Sequence, residues 1–332
     1  MRLAWLSEGG YSGKVSREQT ANAGVLWAWM SNLEVDHYPI LNFEHAPTDG
    51  YDYLILQIPK TPDVREALFN LDIVKKSRRI AKNILFFQEG PVWIYQDMPL
   101  EWQFWHYNVL ADVDLIFCEN ETDIKYYNGF VPEKPVTNLP DLIVDDTIKG
   151  VRDIQKQDKA IIGGNFCRWY GGFDSYIVAQ EFKVPLFIPS MGRKIDGEEQ
   201  IPDLIHLPFM PWSEWMFSLA EFKYAIHLMP TYAAGSFMMN CGYLGIPCIG
   251  YNHVDTQRKI FPDLSVDADD LDRARKLARK LTEDKDFYRH CSEKAIIEYE
   301  NYSSENAFNK WKTNFFENVD ELINKKYEEK TL

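Results

Sequence analysis

Short apolar runs alternate with segments of helical periodicity through the first half of the chain. Such runs are typical of buried strands, and helices between them indicate a parallel, doubly wound sheet. Strands are predicted at residues 3–6, 35–40, 51–58, 83–87 and 113–118, with helices at 18–32, 63–82, 100–109 and 121–127. The stretch 132–146 holds three prolines and then a run of acidic residues, which predicts a linker.

The second half repeats the pattern. Strands are predicted at 159–162, 185–188, 204–208, 224–229 and 246–251, and helices at 174–181, 211–220, 237–244 and 267–281. A last helical region, 292–326, carries aromatic residues at helical spacing. We therefore predict an α/β protein of two Rossmann-like, doubly wound domains facing a cleft. The predicted divisions are 1–146, 147–302 and a C-terminal helix, 303–332, that packs back on the first domain.

One stretch, from Tyr224 to Arg258, is predicted to form a strand, a loop, a helix and a strand. Gly235 and Ser236 stand at the predicted helix start, where free backbone N–H groups and the helix dipole favour an anion such as phosphate. The loop follows the carboxyl end of a strand, the usual ligand position in an open α/β sheet. Any doubly wound domain contains such turns, so this stretch indicates a ligand site only when the rest of the chain agrees with it.

Charge and composition narrow the function classes. The chain has 332 residues, with 36 basic and 50 acidic side chains that give a net charge of −14, so its overall field repels nucleic acid and anionic membranes. No apolar run is long enough to span a membrane, and the N-terminus is unlike a signal peptide. Five scattered cysteines without metal-ligand spacing predict buried, reduced thiols in a cytoplasmic protein.

Two segments carry a family resemblance. Ile161 to Asp174 is similar to the strand and diphosphate-clamping loop of GT-B retaining glycosyltransferases of the family-4-like group, and Pro230 to Gly250 resembles their donor-site helix and strand. The match is good from Gly245 to Gly250. Two positions depart from the family: Asn240 stands where the family has a ribose-binding glutamate, and the loop lysine is replaced by Tyr170 or Gly171.

The resemblance implies a GT-B enzyme that moves a sugar from a UDP- or GDP-linked donor to a hydroxyl of a glycan or other acceptor. It implies no cofactor beyond the donor substrate. Glycosyl transfer also needs a binding site for the leaving diphosphate, and glycine-rich turns and an arginine are suitable for it. Arg168 could equally be a surface arginine that covers Trp169. The predicted donor site comprises Gly9, Gly10, Gly163, Gly164, Asn165, Arg168, Arg193, Met210, Gly235, Ser236, Phe237 and Asn240.

Three carboxylates are candidates for a general base: Glu89, Glu8 and Asp97. We select Glu89, which follows an apolar strand and would face the cleft, although any single loop acid is more often without a catalytic role. His227 is interpreted as a core histidine whose hydrogen bonds are satisfied, and His106 as a packing residue. No paired-carboxylate metal box is present, so we predict a metal-independent transferase.

A weaker resemblance connects the chain with phage DNA β-glucosyltransferases. Gly163 to Arg168 is similar to their diphosphate loop, and Glu89 would take the role of their catalytic aspartate. Their donor-helix arginine and glutamate are absent, with Phe237 and Asn240 in those places, and the acidic charge argues against a DNA acceptor. Three alternatives therefore stay open: a phage-type DNA glycosyltransferase, a sugar-nucleotide epimerase and a non-catalytic nucleotide-sugar binder.

Overall fold

The computed structural model describes residues 1–59, 61–69, 71–190, 195–233 and 235–328. The chain divides into two compact units. Unit 1 contains Met1–Arg17, Trp29–Pro140 and Asn309–Leu332, and unit 2 contains Glu18–Ala28 and Asp141–Phe308. The division near the predicted linker falls after Pro140 rather than after Asp146, and the segment 18–28 belongs to unit 2 although it lies early in the chain.

Unit 1 is built on a seven-stranded sheet of order β2-β3-β1-β4-β5-β6-β7. All neighbouring strands are parallel except β2, which pairs antiparallel with β3 at the edge. The strands are β1 Leu3–Ser7, β2 Gly13–Lys14, β3 Asp36–Pro39, β4 Tyr51–Gln57, β5 Ala81–Phe87, β6 Leu115–Cys118 and β7 Val136–Asn138. The helices are α1 Gly24–Leu33, which begins in unit 2, α2 Pro62–Phe69, α3 Ile73–Ser77, α4 Leu100–Asp112 and α5 Glu121–Phe130.

Successive residues of a strand point to opposite faces, so each central strand of unit 1 supplies two cores. On one face, Leu6, Phe86 and Ile116 belong to a buried cluster with residues of α3 and α4. Their neighbours Trp5 and Phe87 pack edge to face on the other side, with ring centroids 5.7 Å apart. This alternation explains why β1, β5 and β6 appear in the sequence as continuous apolar runs.

The last helix, α12 Glu305–Glu328, covers the second face of the unit 1 sheet. Phe315 lies 5.1 Å from the Phe117 ring, and the side chains of Phe315, Val319 and Ile323 are buried at the helical spacing of four residues. The Tyr53 hydroxyl donates a hydrogen bond of 2.5 Å to Asp320 Oδ1. The C-terminal helix thus completes the core of unit 1.

Unit 2 holds a six-stranded parallel sheet of order β10-β9-β8-β11-β12-β13. Its strands are β8 Gln157–Ile162, β9 Leu186–Ile188, β10 Leu204–His206, β11 Phe222–His227, β12 Cys248–Tyr251 and β13 Ser265–Val266. Its helices are α6 Gly172–Ala179, α7 Trp212–Ala220, α8 Ser236–Tyr243, α9 Asp255–Ile260, α10 Leu271–Glu283 and α11 Lys285–Tyr302. The two parallel sheets confirm the predicted doubly wound fold class.

Two predicted helices differ from the structure. Residues 18–32 form a 3-10 turn, Arg17–Ala21, followed by α1, and the region 63–82 contains two helices before β5 begins at Ala81. The second of these helices, α3, begins after Asp72. The Asp72 carboxylate caps it by accepting a hydrogen bond from Lys75 N at 3.3 Å.

Candidate functional site

The exit loop of β8 begins with two glycines that are required by packing. A Cβ on Gly163 would lie 2.5 Å from His227 Cγ and 2.6 Å from Phe237 Cδ1, and one on Gly164 would lie 2.7 Å from Tyr170 Cβ. Each distance is shorter than any ordinary carbon contact. The loop backbone therefore lies directly against the end of β11 and the start of α8, at the carboxyl edge of the unit 2 sheet.

The rest of this loop is fixed by its own side chains. Asn165, which is 1% exposed, accepts a hydrogen bond from Cys167 N at 3.1 Å, and its Nδ2 is buried without a hydrogen-bond partner among the described residues. Arg168 is exposed and starts a 3-10 turn that ends at Tyr170. Asn165 is therefore a support of the loop, whereas Arg168 presents its guanidinium to solvent.

Gly171 explains one departure from the family pattern. Its φ is 63°, and a Cβ there would lie only 1.8 Å from the backbone oxygen of Leu228. No lysine or other side chain can occupy this position without moving β11's exit. The family's loop lysine therefore has no counterpart at Gly171, and the nearest basic residue in sequence is Arg168.

The start of α8 has no side-chain cap from the residue that precedes it. That residue, Gly235, has φ 74° and no side chain that could accept a hydrogen bond from the first-turn N–H groups. The helix has eight residues, and Phe237, Met238 and Asn240 within it are all buried. The local geometry is that of an anion-binding helix N-terminus.

We expect a Gly235→Val substitution to damage the fold rather than report on ligand binding. The position combines a positive φ with a Cβ placed 1.8 Å from Thr256 Oγ1, so strain and overpacking together should cost about 2–6 kcal/mol of unfolding free energy. Thermal melting would measure the loss. Gly10→Val is the matched control, since that glycine has open space around its Cβ position. Equal melting temperatures for both variants would contradict this account of Gly235.

A cavity of about 200 Å³ lies beside this helix start. It brings together five of the predicted donor-site residues, which are Gly163, Met210, Ser236, Phe237 and Asn240. Five further residues line it that sequence reasoning did not select: Pro189, Ser190, Pro208, Phe209 and Trp215. The walls are mainly apolar and aromatic, and the Phe209 ring is 79% exposed at the rim. The sequence contained one signal for this part of the cavity: two prolines flank Phe209 and Met210 between a predicted strand and a predicted helix.

Two side chains at the cavity end of unit 2 contain buried polar atoms that have no hydrogen-bond partner of normal geometry among the described residues. Asn240 is 5% exposed, and its Oδ1 accepts no hydrogen bond from the described residues. His227 was predicted to be a satisfied core residue, and this is wrong in one respect: it is buried, yet neither ring nitrogen makes a hydrogen bond of normal geometry. Burial lowers the pKa of His227 to about 4, although the nearby Tyr170 carbonyl acts in the opposite direction. The imidazole is therefore neutral at pH 7.

The remaining predicted donor-site residues lie in three places. Gly164, Asn165 and Arg168 belong to the β8 exit loop, and Gly235 directly precedes Ser236 at the start of α8. Gly9 and Gly10 are exposed residues of unit 1, after β1. Arg193 lies outside the described residues.

The carboxylate candidates of unit 1 follow the carboxyl ends of its strands. Glu89 is half-buried in the loop after β5, and its Oε2 accepts a hydrogen bond of 2.8 Å from Gln57 Nε2. Glu8 follows β1 and accepts a 2.5 Å bond from the Thr61 hydroxyl. Asp97 is exposed. Glu89 is thus the candidate that is held by a buried partner, because Gln57 is only 5% exposed.

His106 is a packing residue, as predicted. Its ring stacks on Tyr95 with centroids 3.5 Å apart, and its Nε2 is 3.1 Å from Gln88 Oε1. Burial lowers the pKa of His106 to about 3, so the side chain stays neutral at physiological pH.

The described part of the chain contains neither a metal-binding cluster nor a membrane-spanning helix. No cluster of three or more His, Cys, Asp or Glu side chains could hold a metal ion there. None of the helices in that part has the length and apolar character needed to cross a membrane.

Comparison with known proteins identifies the architecture. No protein-family model matches the sequence, and no curated protein matches it. Among solved structures, the chain is similar to an alpha-glucosyltransferase in complex with UDP-glucose and DNA containing an abasic site, with 14% identity, a TM-score of 0.64 and coverage of 95% of this chain and 99% of that one.

Two further structures are similar over nearly their whole length. HepE of Anabaena, in complex with UDP and glucose, has 8% identity, a TM-score of 0.65 and coverage of 96% of this chain and 99% of that one. Sucrose-phosphate synthase of Thermosynechococcus elongatus has 12% identity, a TM-score of 0.63 and coverage of 96% and 98%. At these identities the likeness concerns the fold, and the chain has the fold of the GT-B glycosyltransferases.

Proposed function

We propose that this protein is a glycosyltransferase that uses a nucleotide-diphosphate sugar and that unit 2 binds the donor. The observation that carries the proposal is the cavity at the carboxyl edge of the unit 2 sheet. It combines the start of α8, the close-packed Gly163 backbone and the buried Oδ1 of Asn240, which has no hydrogen-bond partner in the described part of the chain. The solved structures of this fold that resemble the chain include complexes with UDP and UDP-glucose, which supports a uridine nucleotide as the first donor to test.

Each part of a nucleotide sugar has a suitable partner in this proposal. The apolar walls formed by Phe209, Trp215 and Phe237 suit a base, which binds by stacking and apolar contact. Asn240 would bond a ribose hydroxyl, and because its amide is neutral it can both accept and donate where a carboxylate only accepts. The start of α8 and Arg168 would hold the diphosphate.

The proposed chemistry needs one proton acceptor. As the acceptor oxygen bonds to the anomeric carbon, the bond from that carbon to the diphosphate oxygen breaks, and its electron pair leaves with the diphosphate. In an inverting transfer Glu89 takes the acceptor's proton. In a retaining transfer the leaving phosphate takes it, and Glu89 has no such role. The anomeric configuration of the product decides between the two.

Turnover of a panel of UDP- and GDP-sugars tests the function. A transferase releases the nucleoside diphosphate and forms a new glycoside, an epimerase returns a changed nucleotide sugar, and a binder gives only a thermal shift. We propose that no metal takes part, so a chelator should leave turnover unchanged. If no sugar nucleotide in the panel binds, the proposal fails.

The acceptor panel should contain free glycans and a 13-mer DNA with an HMU base. The DNA is included because one similar structure, an alpha-glucosyltransferase, is a complex with UDP and such a 13-mer DNA. The net charge of −14 opposes a polyanionic acceptor, so we expect transfer to the glycans. Transfer to the DNA alone would contradict the proposed glycan acceptor, whereas the proposed donor site would still stand.

Arg168→Ala should weaken binding of the nucleotide sugar. A charge-assisted contact with phosphate is worth about 1.5–3 kcal/mol, which corresponds to a roughly 10- to 150-fold rise in Kd by calorimetry. Arg289→Ala is the matched control, because Arg289 is also exposed in unit 2 and bonds only Asp286 among the described residues. An unchanged Kd for Arg168→Ala would remove this residue from the donor site.

A further inference from the structure

A chain of three side chains runs across the unit 1 sheet and ends at Glu89. Trp5 Nε1 donates to Gln57 Oε1 at 3.0 Å, and Gln57 Nε2 donates to Glu89 Oε2 at 2.8 Å. The three residues come from β1, the last position of β4 and the loop after β5. Since β1 and β5 are the two direct neighbours of β4, sheet pairing holds the three backbones in register.

Trp5 determines the donor and acceptor roles in both hydrogen bonds of this series. An indole N–H can only donate, so the atom of Gln57 that faces Trp5 must be the amide oxygen. The amide nitrogen then faces Glu89, and the two orientations of the Gln57 amide are not equivalent. Trp5 is fully buried and Gln57 is 5% exposed, so neither partner can be exchanged for bulk water without a cost.

We propose that Gln57 is the positioning residue for Glu89 and holds its carboxylate in the orientation in which it takes the acceptor's proton. This inference rests on the proposed role of Glu89. The hydrogen bond from Gln57 Nε2 to Oε2 limits the rotation of the carboxylate. The carboxylate takes the acceptor's proton and releases it to solvent after the glycosidic bond has formed.

The positioning role differs from a merely structural one in its coupling to Glu89. Misplacing a catalytic group by about 1 Å can cost on the order of 100-fold in rate. We therefore expect Gln57→Met, which keeps the length and removes the donor, to lower kcat about 10- to 100-fold with the donor KM unchanged. The rate assay uses the sugar nucleotide that the panel shows to be turned over fastest.

A double-mutant cycle separates this inference from the proposed function. In a Glu89→Gln background, Gln57→Met should cause little further loss, because residues that act as one unit are not additive. If Glu89→Gln itself keeps full turnover, the base role fails and this inference with it. If Glu89→Gln is slow but Gln57→Met is not, or if the two losses multiply, Gln57 does not act through Glu89 and only this inference is overturned.

Two further measurements guard against a variant that simply fails to fold. Gln103→Met is the control substitution, since the Gln103 amide bonds the backbone oxygens of Gln96 and Met98 in the same unit. With ¹⁵N-labelled tryptophan, the indole signal assigned to Trp5 should shift in Gln57→Met and stay in place in Gln103→Met. If Gln57→Met does not fold, Trp5→Phe removes the donor that orients Gln57 and should lower kcat with KM unchanged; wild-type kcat in that folded variant would overturn the proposal.

Discussion

Glu89→Gln is expected to reduce the rate of sugar transfer by about 10²–10⁴-fold, which is the usual effect of removing a positioned general base. The amide keeps the shape of the side chain and cannot take a proton. Donor binding should hardly change, because the proposed partner of Glu89 is the acceptor hydroxyl and the nucleotide is assigned to unit 2. The measurement is kcat for transfer beside the Kd of the donor.

Glu8→Gln serves as the control for this prediction. Glu8 is a carboxylate at the end of a neighbouring strand, but it bonds Thr61, an exposed contact, and we assign it no chemical role. A wild-type kcat in Glu89→Gln would contradict the base role. A product that retains the donor's anomeric configuration would do the same, and the proton would then pass to the leaving phosphate.

Removal of residues 309–332 should abolish the cooperative unfolding of unit 1. This segment carries the side chains of Phe315, Val319 and Ile323, all buried in unit 1. Their burial contributes about 1.5–3 kcal/mol each, a sum comparable to the whole net stability of a typical domain, about 5–15 kcal/mol. Calorimetry would show the loss of one transition, and the uncovered aromatic face should cause aggregation.

A shorter deletion, of residues 325–332 only, is the matched control. It leaves Phe315, Val319 and Ile323 in place, so the heat absorbed on unfolding should stay close to that of the full chain. If the chain without residues 309–332 instead stays soluble and melts with the full enthalpy, α12 is not part of the unit 1 core.

The strands were predictable because parallel strands covered on both faces leave continuous apolar runs. The predicted strand 246–251 corresponds to β12, and the predicted helix 237–244 agrees with α8 within one residue. The assignment of residues 18–28 to unit 2 was not predictable. Helical periodicity shows that a segment has an apolar face, but it does not show which sheet that face covers.

The candidate site was predictable where backbone chemistry determines it and where the family resemblance indicated residues such as Phe237 and Asn240. Gly235 and Ser236 stood out because a loop of small residues before a helix is a recognisable pattern. Gln57 gave no signal, since its bonds connect residues 32 and 52 positions away and depend on the register of β1, β4 and β5. Phe209 and Trp215 were missed for a similar reason: an aromatic residue in the sequence is more often core than cavity wall.

The division of α12 between the units sets the order in which the protein can be completed on the ribosome. The residues of unit 2 end at Phe308, whereas unit 1 includes Asn309 onward, which covers its second face. At about 5–20 residues per second, a delay on the order of ten to thirty seconds separates the synthesis of Pro140 from that of Phe315. During that time the ring of Phe117 lacks its contacts with Trp311 and Phe315, so we expect the nascent protein to bind chaperones that recognise exposed aromatic surface.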